Sequence, residues 1–239
     1  MGAFERSWLG IRHNLRIVML RYCEFNRVEN GVIVETAMFC DIPHLMMQAG
    51  QNPFPPQTGT MLVQPGPRTH DGLCYTAQDA EAGTATLAVI NAMINSPAAK
   101  PRNEDEADRL AQTWHDDMIW WGPAGIGAVY TIERYDLQHS MPFDKSLSTA
   151  YTFNGHICRL AEGAFGGFFG WPNLSVQNSG GFLGMTASSR PADMRVIDMY
   201  RVQDGKIAEN WVFIDLLHFL MMQGLDVLGR MNAVQSGGG

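Results

Sequence analysis

Two segments of the chain, residues 27–50 and 201–224, repeat each other without a gap at an offset of 174 positions. They read RVENGVIVETAMFCDIPHLMMQAG and RVQDGKIAENWVFIDLLHFLMMQG. Ten positions are identical: Arg27/Arg201, Val28/Val202, Gly31/Gly205, Ile33/Ile207, Glu35/Glu209, Phe39/Phe213, Asp41/Asp215, His44/His218, Met47/Met221 and Gly50/Gly224. An ungapped repeat of this kind indicates a duplicated structural unit, so both segments are predicted to fold alike.

Each copy carries the signals of a hairpin followed by a helix. The dipeptides Asn30–Gly31 and Asp204–Gly205 favour a type I′ turn, because both central residues of that turn need a positive φ. Asp41 and Asp215 then lie where a helix needs a side chain to cap its first backbone N–H groups. The repeat therefore predicts strand, tight turn, strand and capped helix in both places.

The two copies differ in what precedes them, and this difference suggests the domain organisation. Residues 1–50 hold only the hairpin and helix, and are predicted to form a partial copy of a domain. Residues 51–76 contain five prolines between positions 51 and 72, which favours a linker packed along the surface. Residues 77–230 are long enough for the complete domain, and residues 231–239 form a tail.

The complete domain is predicted to have an α+β layout, with helices first and strands later. Three helices are expected near Leu87–Ile94, at Ala107–Trp114 after an N-cap at Asn103, and over Val129–His139. Strands are predicted over Asp117–Trp121, 148–161, 164–171, 174–183, 193–203 and 205–214. A closing helix is predicted from Asp215 to Arg230.

Composition excludes several classes of function. The chain has 239 residues, of which 46% are hydrophobic, and a net charge of −7, so it lacks the basic surface that nucleic acids or anionic membranes attract. No apolar run is long enough for a transmembrane helix, and residues 1–13 lack the apolar stretch of a signal peptide, so neither is expected. The four cysteines lie far apart, which favours free thiols in a reducing compartment, so a cytoplasmic location is expected.

The segments RVIDMYRVQDGKIAENWVFIDLLHFLMMQG and WHDDMIWWGPAGIG, together with the order of the helices, resemble the SnoaL-like polyketide cyclase family. That family belongs to the nuclear transport factor 2-like, or cystatin-like, superfamily. The resemblance covers residues 77–230, and residues 1–50 as a truncated copy. It implies a cone-shaped, bent antiparallel sheet with three N-terminal helices and a C-terminal helix, preceded by the partial second copy, with a pocket at the open end of the cone.

The resemblance also indicates where chemistry would occur. The cyclases of the family use an acid/base carboxylate and an assisting histidine, which align here with Val212 and Asp198. Because Val212 cannot transfer a proton, the aldol mechanism of those cyclases does not carry over, and Asp198 becomes the candidate acid or base. Strand alternation places Val196, Asp198 and Tyr200 on one face, with Asn210 and Val212 on the matching face of the next strand. Desolvation there would raise the pKa of the Asp198 carboxyl toward neutrality.

Other interpretations of these residues remain open at this point. Asp198 could instead be structural and paired with one of three arginines: Arg159, Arg195 or Arg201. His139 and His156 are further candidates for acid/base catalysis, and Trp120 is predicted to line an apolar pocket. The spacing of His, Cys, Asp and Glu does not favour a metal site, and no cofactor is expected.

The opposite face of the same strands is predicted to be apolar. Ile207, Trp211 and Phe213 are expected there, which indicates a partner sheet supplied either by the partial copy or by a second chain in a homodimer. The leading hypothesis is a protein that binds a small apolar organic ligand and performs cofactor-free cyclisation, isomerisation or hydrolysis. The alternative is a non-catalytic ligand-binding or oligomerisation module with the same fold.

Overall fold

The structure is a computed structural model that describes residues 1–61, 66–95, 106–147 and 151–236, with the side chains at 106 and 107 left out. Its architecture is α+β, as predicted, and the sheet is curved. The elements in chain order are β1 (Gly2–Ala3), β2 (Ile17–Val18), β3 (Tyr22–Glu29), β4 (Val32–Cys40), α1 (Ile42–Gln48), α2 (Ala80–Asn95), α3 (Glu106–Leu110), β5 (Trp114–Trp121), β6 (Ala128–Tyr130), α4 (Ile132–Tyr135), α5 (Met141–Leu147), β7 (Tyr151–Phe153), β8 (Cys158–Glu162), β9 (Phe165–Gln177), β10 (Pro191–Gln203), β11 (Lys206–Ile214), α6 (Leu216–Met222) and α7 (Val227–Ser236).

The main sheet has the strand order β6-β5-β11-β10-β9-β7, and β8 also pairs with β9. The pairing of β5 with β11 is parallel, so the expectation of a purely antiparallel sheet is wrong at this position. The two strands predicted over 164–171 and 174–183 form one strand, β9, that runs through Pro172. The Asn173 side chain accepts the Val196 N–H at 2.7 Å, so the partner strand stays bonded where its register shifts.

The helices also differ from the prediction in their bounds. Trp114 was expected at the end of a helix and instead begins β5. There it pairs in parallel with Ile207 of β11, and its side chain is buried, with only 2% exposed. The helix predicted over Val129–His139 starts at Ile132 and continues through a π-helical turn and α5 to Leu147. The closing helix is interrupted at Gly224, where φ is +89°. Within the described residues, no helix is both long enough and apolar enough to cross a membrane.

Some predictions lie outside the described residues. These are the N-cap at Asn103, the start of the strand expected from position 148, and the last three residues of the tail. The helix expected near Leu87–Ile94 corresponds to α2, which extends over Ala80–Asn95.

The local features predicted from the repeat are present in both copies. The φ angles are positive at all four turn residues: 50° at Asn30, 77° at Gly31, 48° at Asp204 and 75° at Gly205. The Asp41 side chain accepts the His44 N–H, and the Asp215 side chain accepts the His218 N–H. Type I′ turns and aspartate N-caps are thus confirmed at both positions.

The hairpin of β3 and β4 packs on the face of the main sheet that points away from the central core, called here the outer face. The resulting cluster contains Phe25 and Phe39 from the hairpin and Phe169, Ile197 and Phe213 from the sheet. Trp211 packs against the same cluster, as predicted. Ile207 was expected on this face and lies in the central core instead, because the β10–β11 register shifts between Arg201 and Val202.

The segment between the two copies is bonded to the main sheet at several points. Gly59 donates its N–H to the Ile126 carbonyl at 2.7 Å, and Thr60 forms a bridge with Ala128 at the sheet edge. The Arg68 N–H reaches the Glu209 carboxylate at 3.2 Å. These contacts tie Gly59, Thr60 and Arg68 to the edge of the main sheet at β6 and to β11, which carries a part of the candidate site described next.

Candidate active site

The predicted site residues of β10 and β11 share the face of the sheet that points into the central core, called here the inner face. Asp198 lies opposite Val212, and Tyr200 lies opposite Asn210. Val196, Tyr200 and Val212 belong to the central core cluster, whereas their strand neighbours Ile197 and Phe213 belong to the outer cluster. The faces predicted for these residues from strand alternation therefore agree with the structure.

The Asp198 carboxyl receives hydrogen bonds from uncharged donors. The Asn210 amide donates to Oδ1 of Asp198 at 3.2 Å, and the Tyr200 hydroxyl is a second donor. Burial raises the pKa of Asp198 to about 7, and these two hydrogen bonds oppose that effect only in part. At neutral pH both the acid and the carboxylate form of Asp198 are consequently populated.

The interpretation of Asp198 as one half of a structural ion pair is wrong. Arg195 pairs with Asp215 at 3.2 Å, and Arg201 pairs with Glu209 at 2.6 Å. The Arg159 guanidinium donates to His156 and Asn91. Within the described residues, none of these arginines forms an ion pair with Asp198.

Tyr200 is itself buried and stays neutral. Burial and the nearby Asp198 charge raise the pKa of its hydroxyl well above the ordinary value. A phenol in this state is a hydrogen-bond donor for a carboxylate or for an oxygen of a ligand. Its ring lies 6.1 Å from the Trp114 ring and 5.7 Å from the Phe168 ring. Tyr200 therefore connects the polar side chains Asp198 and Asn210 with the surrounding aromatic rings, called here the aromatic wall.

One side of this wall is formed by Trp120 and His139. Trp120 is paired with Asn210 across the β5–β11 ladder, and its ring stacks on the His139 imidazole at 4.1 Å. Burial lowers the pKa of His139 to about 4, so the ring is neutral at pH 7. The structure places His139 beside Trp120 as an aromatic wall residue, in contact with the rings of Tyr135 and Phe143.

His156 lies on the other side, in the loop before β8. Its ring stacks on Phe168 at 3.8 Å, and Phe168 is the β9 neighbour of Asp198. Arg159 Nε donates to His156 Nδ1 at 2.8 Å. Burial and the charge of Arg159 lower the pKa of His156 to about 4. The neutral imidazole therefore accepts at Nδ1 and carries its proton on Nε2, where it can donate to a ligand.

Three residues of this arrangement were not predicted as site residues: Tyr135, Arg159 and Phe168. Arg159 was considered only as an ion-pair partner of Asp198. Strand alternation would have shown that Phe168 and Phe169 face opposite sides, but only the register of β9 on β10 shows which of them neighbours Asp198. Tyr135 reaches the Trp114 and Trp120 rings from α4, and no short sequence spacing indicates that contact.

The space near the site is filled to a large extent by aromatic rings. A cavity of about 320 Å³ lies between α2 and β8, lined by Gln78, Asp79, Ala80, Gly83, Thr84, Leu87, Ala161 and Glu162. Asp198 is not among these lining residues, although its side chain keeps partial exposure. A ligand pocket at Asp198 therefore stays a prediction. Among the described residues, no group of three or more His, Cys, Asp or Glu side chains is arranged to hold a metal ion.

Comparison with known proteins identifies the fold. Residues 174–223 match the family model described as SnoaL-like polyketide cyclase. A protein named as a SnoaL-like polyketide cyclase, from Jannaschia sp. CCS1, aligns with a TM-score of 0.50 and 17% identity over 62% of this chain and 97% of its own. IdmH from Streptomyces antibioticus, named as a polyketide cyclase, aligns with a TM-score of 0.44 and 17% identity over 59% of this chain and 99% of its own.

No curated protein sequence matches the chain. The match of residues 174–223 covers β10, β11 and α6, the elements that carry Asp198, Tyr200 and Asn210. The structural likeness covers 62% of this chain, and at 17% identity it establishes the fold alone. The resemblance to the SnoaL-like polyketide cyclase family is thereby confirmed for residues 174–223.

Proposed function

We propose that this protein binds a small, largely apolar organic ligand at the inner face, and that Asp198 transfers protons to and from it without a cofactor. The observation that carries the proposal is the environment of Asp198, a partly buried carboxyl bonded to the neutral donors Asn210 and Tyr200. Such a group can remove a proton at neutral pH and return it, as cyclisation, isomerisation and hydrolysis require.

The neighbouring residues have separate tasks in this proposal. Tyr200 and Asn210 hold the carboxylate with one O–H and one N–H, while the second N–H of Asn210 is donated to the Met199 carbonyl. Once Asp198 has taken up a proton, the Tyr200 hydroxyl turns to donate to an oxygen of the ligand, where negative charge has developed. Val196 and Val212 provide the apolar floor, and Trp120 provides a flat wall. His139 and His156 are neutral and serve as wall and donor, because their lowered pKa values disfavour the charged form.

A simple proton-transfer probe tests the proposal without a known substrate. In 5-nitrobenzisoxazole, a base removes the ring C–H proton, the electron pair forms a nitrile, and the N–O bond breaks to release a coloured phenolate. We expect turnover that increases with pH around a midpoint near 7, following the carboxylate form of Asp198. Asp198→Asn should reduce the rate by about 100-fold or more.

Glu24 supplies the matched control, because it occupies the position of Asp198 in the first copy and its side chain is exposed. Glu24→Gln should leave turnover unchanged. Equal rates for the wild type and Asp198→Asn would overturn the assignment of Asp198 as the base.

The second candidate function is a non-catalytic ligand-binding or oligomerisation module. It is favoured by Val212, which stands at the acid/base position of the family's cyclases, and by the dense aromatic packing around Asp198. Binding of the probe without turnover would support this alternative.

We further propose that residues 1–50 are a partial second copy of the complete domain at residues 77–230. The proposal is supported by the matching turns and N-caps, and by Arg21 and Arg195, which lie at the same offset and pair with Asp41 and Asp215. The partial copy covers a part of the outer face, so a homodimer through this face would use the remainder. Sedimentation equilibrium of the full chain tests the homodimer: a mass near 26.5 kDa at all concentrations would contradict it.

A further inference from the structure

Arg159 shares the inner face with Asp198. The register pairs Arg159 of β8 with Phe168 of β9, and Phe168 with Asp198 of β10. Residues directly opposite each other on neighbouring strands point to the same side, and neighbouring strands lie about 4.8 Å apart. The backbones at Arg159 and Asp198 are therefore separated by about 10 Å, with the Phe168 ring between them.

The Arg159 guanidinium is held by two neutral partners from different elements. Nε donates to His156 Nδ1 at 2.8 Å, and Nη1 donates to Asn91 Oδ1 of α2 at 2.8 Å. Within the described residues no carboxylate lies at ion-pair distance from it. The arginines of the two repeated hairpins behave differently: Arg21, Arg27, Arg195 and Arg201 each pair with an aspartate or glutamate.

The Arg159 charge is thus oriented but not neutralised, and the side chain is exposed. Two anchors fix the plane of the guanidinium, which lowers the entropy lost when a further acceptor binds. A fixed, exposed guanidinium without a carboxylate partner is suited to a planar anion such as a carboxylate, which accepts charge-assisted hydrogen bonds from it.

The surface beside Arg159 is flat and aromatic. The His156 ring lies parallel to Phe168 with an interplanar angle of 15°, and the edge of the Phe153 ring meets His156 at 5.2 Å. Phe153 is 45% exposed, so this group of rings reaches the surface. His156 Nε2 remains as a donor on the same ring that Arg159 anchors.

We propose that Arg159 and His156 form a subsite for a carboxylate of the ligand. The inference rests on the proposed function for the place where the ligand binds, and it adds the ligand's class: a flat apolar molecule with an anionic group at one end. Its rings would lie against the exposed Phe153 ring and the His156 ring, and its other end would point across the sheet toward Asp198.

Two matched probes test the subsite by calorimetric titration. The anion 2-naphthoate and the uncharged 2-naphthamide have the same ring system and differ only in the carboxylate. We expect the wild type to bind 2-naphthoate about tenfold more tightly at low ionic strength. Arg159→Gln should abolish this preference and leave the affinity for 2-naphthamide unchanged. Arg159→Lys keeps the charge but loses the planar N–H donors of the guanidinium, so it should retain a part of the preference for 2-naphthoate.

The control variant is Arg27→Gln, which removes an exposed arginine of the first hairpin and should keep the preference for 2-naphthoate. Equal affinities for the two probes in the wild type, or an unchanged preference in Arg159→Gln, would overturn the subsite. Asp198→Asn separates the two proposals, because it should abolish proton transfer and keep the preference for the anion. If the wild type does not turn over 5-nitrobenzisoxazole but still binds 2-naphthoate more tightly than 2-naphthamide, only the catalytic role of Asp198 is rejected.

Discussion

The two copies of the repeat place the same ion pair in different surroundings. Arg21 and Asp41 are 2.8 Å apart with side chains that are 6% and 2% exposed, whereas Arg195 and Asp215 are 3.2 Å apart and 22% and 30% exposed. Arg21 also donates to the carbonyls of Trp121 and Gly122. The end of β5 therefore buries the pair of the first copy and leaves that of the second copy near solvent.

A second ion pair of the repeat is buried in the second copy and exposed in the first. Arg201 and Glu209 are 5% and 0% exposed, and Arg68 adds its backbone N–H to the Glu209 carboxylate. The equivalent Arg27 and Glu35 are 57% and 68% exposed. The comparison teaches that the repeated residues determine which pairs form, while segments far away in the chain determine how much each pair contributes.

The largest effect is expected when the buried pair of the first copy is broken. Asp41→Ala removes the N-cap of α1, the partner of buried Arg21 and the acceptor of the Ala124 N–H. We expect a loss of about 3–5 kcal/mol in the free energy of unfolding. Asp215→Ala should cost about 1 kcal/mol, mainly for the lost cap. Urea denaturation measures both; equal losses would contradict the comparison.

The ion pairs within the two hairpins should give the next largest difference in the free energy of unfolding, and here the second copy should be the more sensitive one. Glu209→Gln leaves buried Arg201 without its counter-charge, and we expect the free energy of unfolding to fall by about 3 kcal/mol. Glu35→Gln should change it by less than about 1 kcal/mol, since both partners are exposed. The same denaturation series tests this, and a larger effect of Glu35→Gln would reverse the interpretation.

Asp198 should make the free energy of unfolding depend on pH. The pKa of Asp198 is raised to about 7 in the folded protein, so its ionisation destabilises the fold as the pH rises from about 4 to 7. Asp198→Asn removes this cost. We expect the variant to gain about 4 kcal/mol relative to the wild type between pH 4 and pH 8.

Glu24→Gln is the matched control, because exposed Glu24 is bonded to Asn26 and does not face the central core. Its unfolding free energy should follow that of the wild type at every pH. A difference between Asp198→Asn and the wild type that is the same at pH 4 and pH 8 would contradict the raised pKa of Asp198.

The turns should show the smallest difference, because their surroundings are the same in both copies. A Cβ at Gly31 or at Gly205 would meet no atom within 4 Å, and the φ angles are 77° and 75°. Gly31→Ala and Gly205→Ala should therefore each cost about 1 kcal/mol through backbone strain alone. Thermal unfolding checks this; unequal losses would show that packing also acts on one of the turns.

Sequence patterns predicted the parts of the site that lie within one hairpin. Alternation along β10 gave the common face of Asp198 and Tyr200, and alternation along β11 gave that of Asn210 and Val212, because the pairing of Val196–Arg201 with residues 209–214 is not interrupted by a register shift. It failed at Ile207, because a register shift at Arg201 changes the face and no residue pattern marks it.

The elements contributed by distant segments could not be predicted in this way. Trp114 has helical spacing with the residues before it, and yet it belongs to β5 because parallel pairing with β11 supplies more stabilisation than local helix propensity. Phe168 and Arg159 reach the inner face through β9 and β8, whose register with β10 depends on packing across the whole sheet.

The sequence by itself determined the type I′ turns, the aspartate N-caps and the alternation of β10 and β11, since each depends on hydrogen bonds and dihedral angles within a few residues. The tertiary structure alone decided which ion pairs are buried, that Asp198 is bonded to Asn210 and Tyr200 rather than to an arginine, and that Arg159 lies on the same face. The reason is physical: burial and charge compensation are set by atoms far apart in the chain, and local patterns carry no record of them.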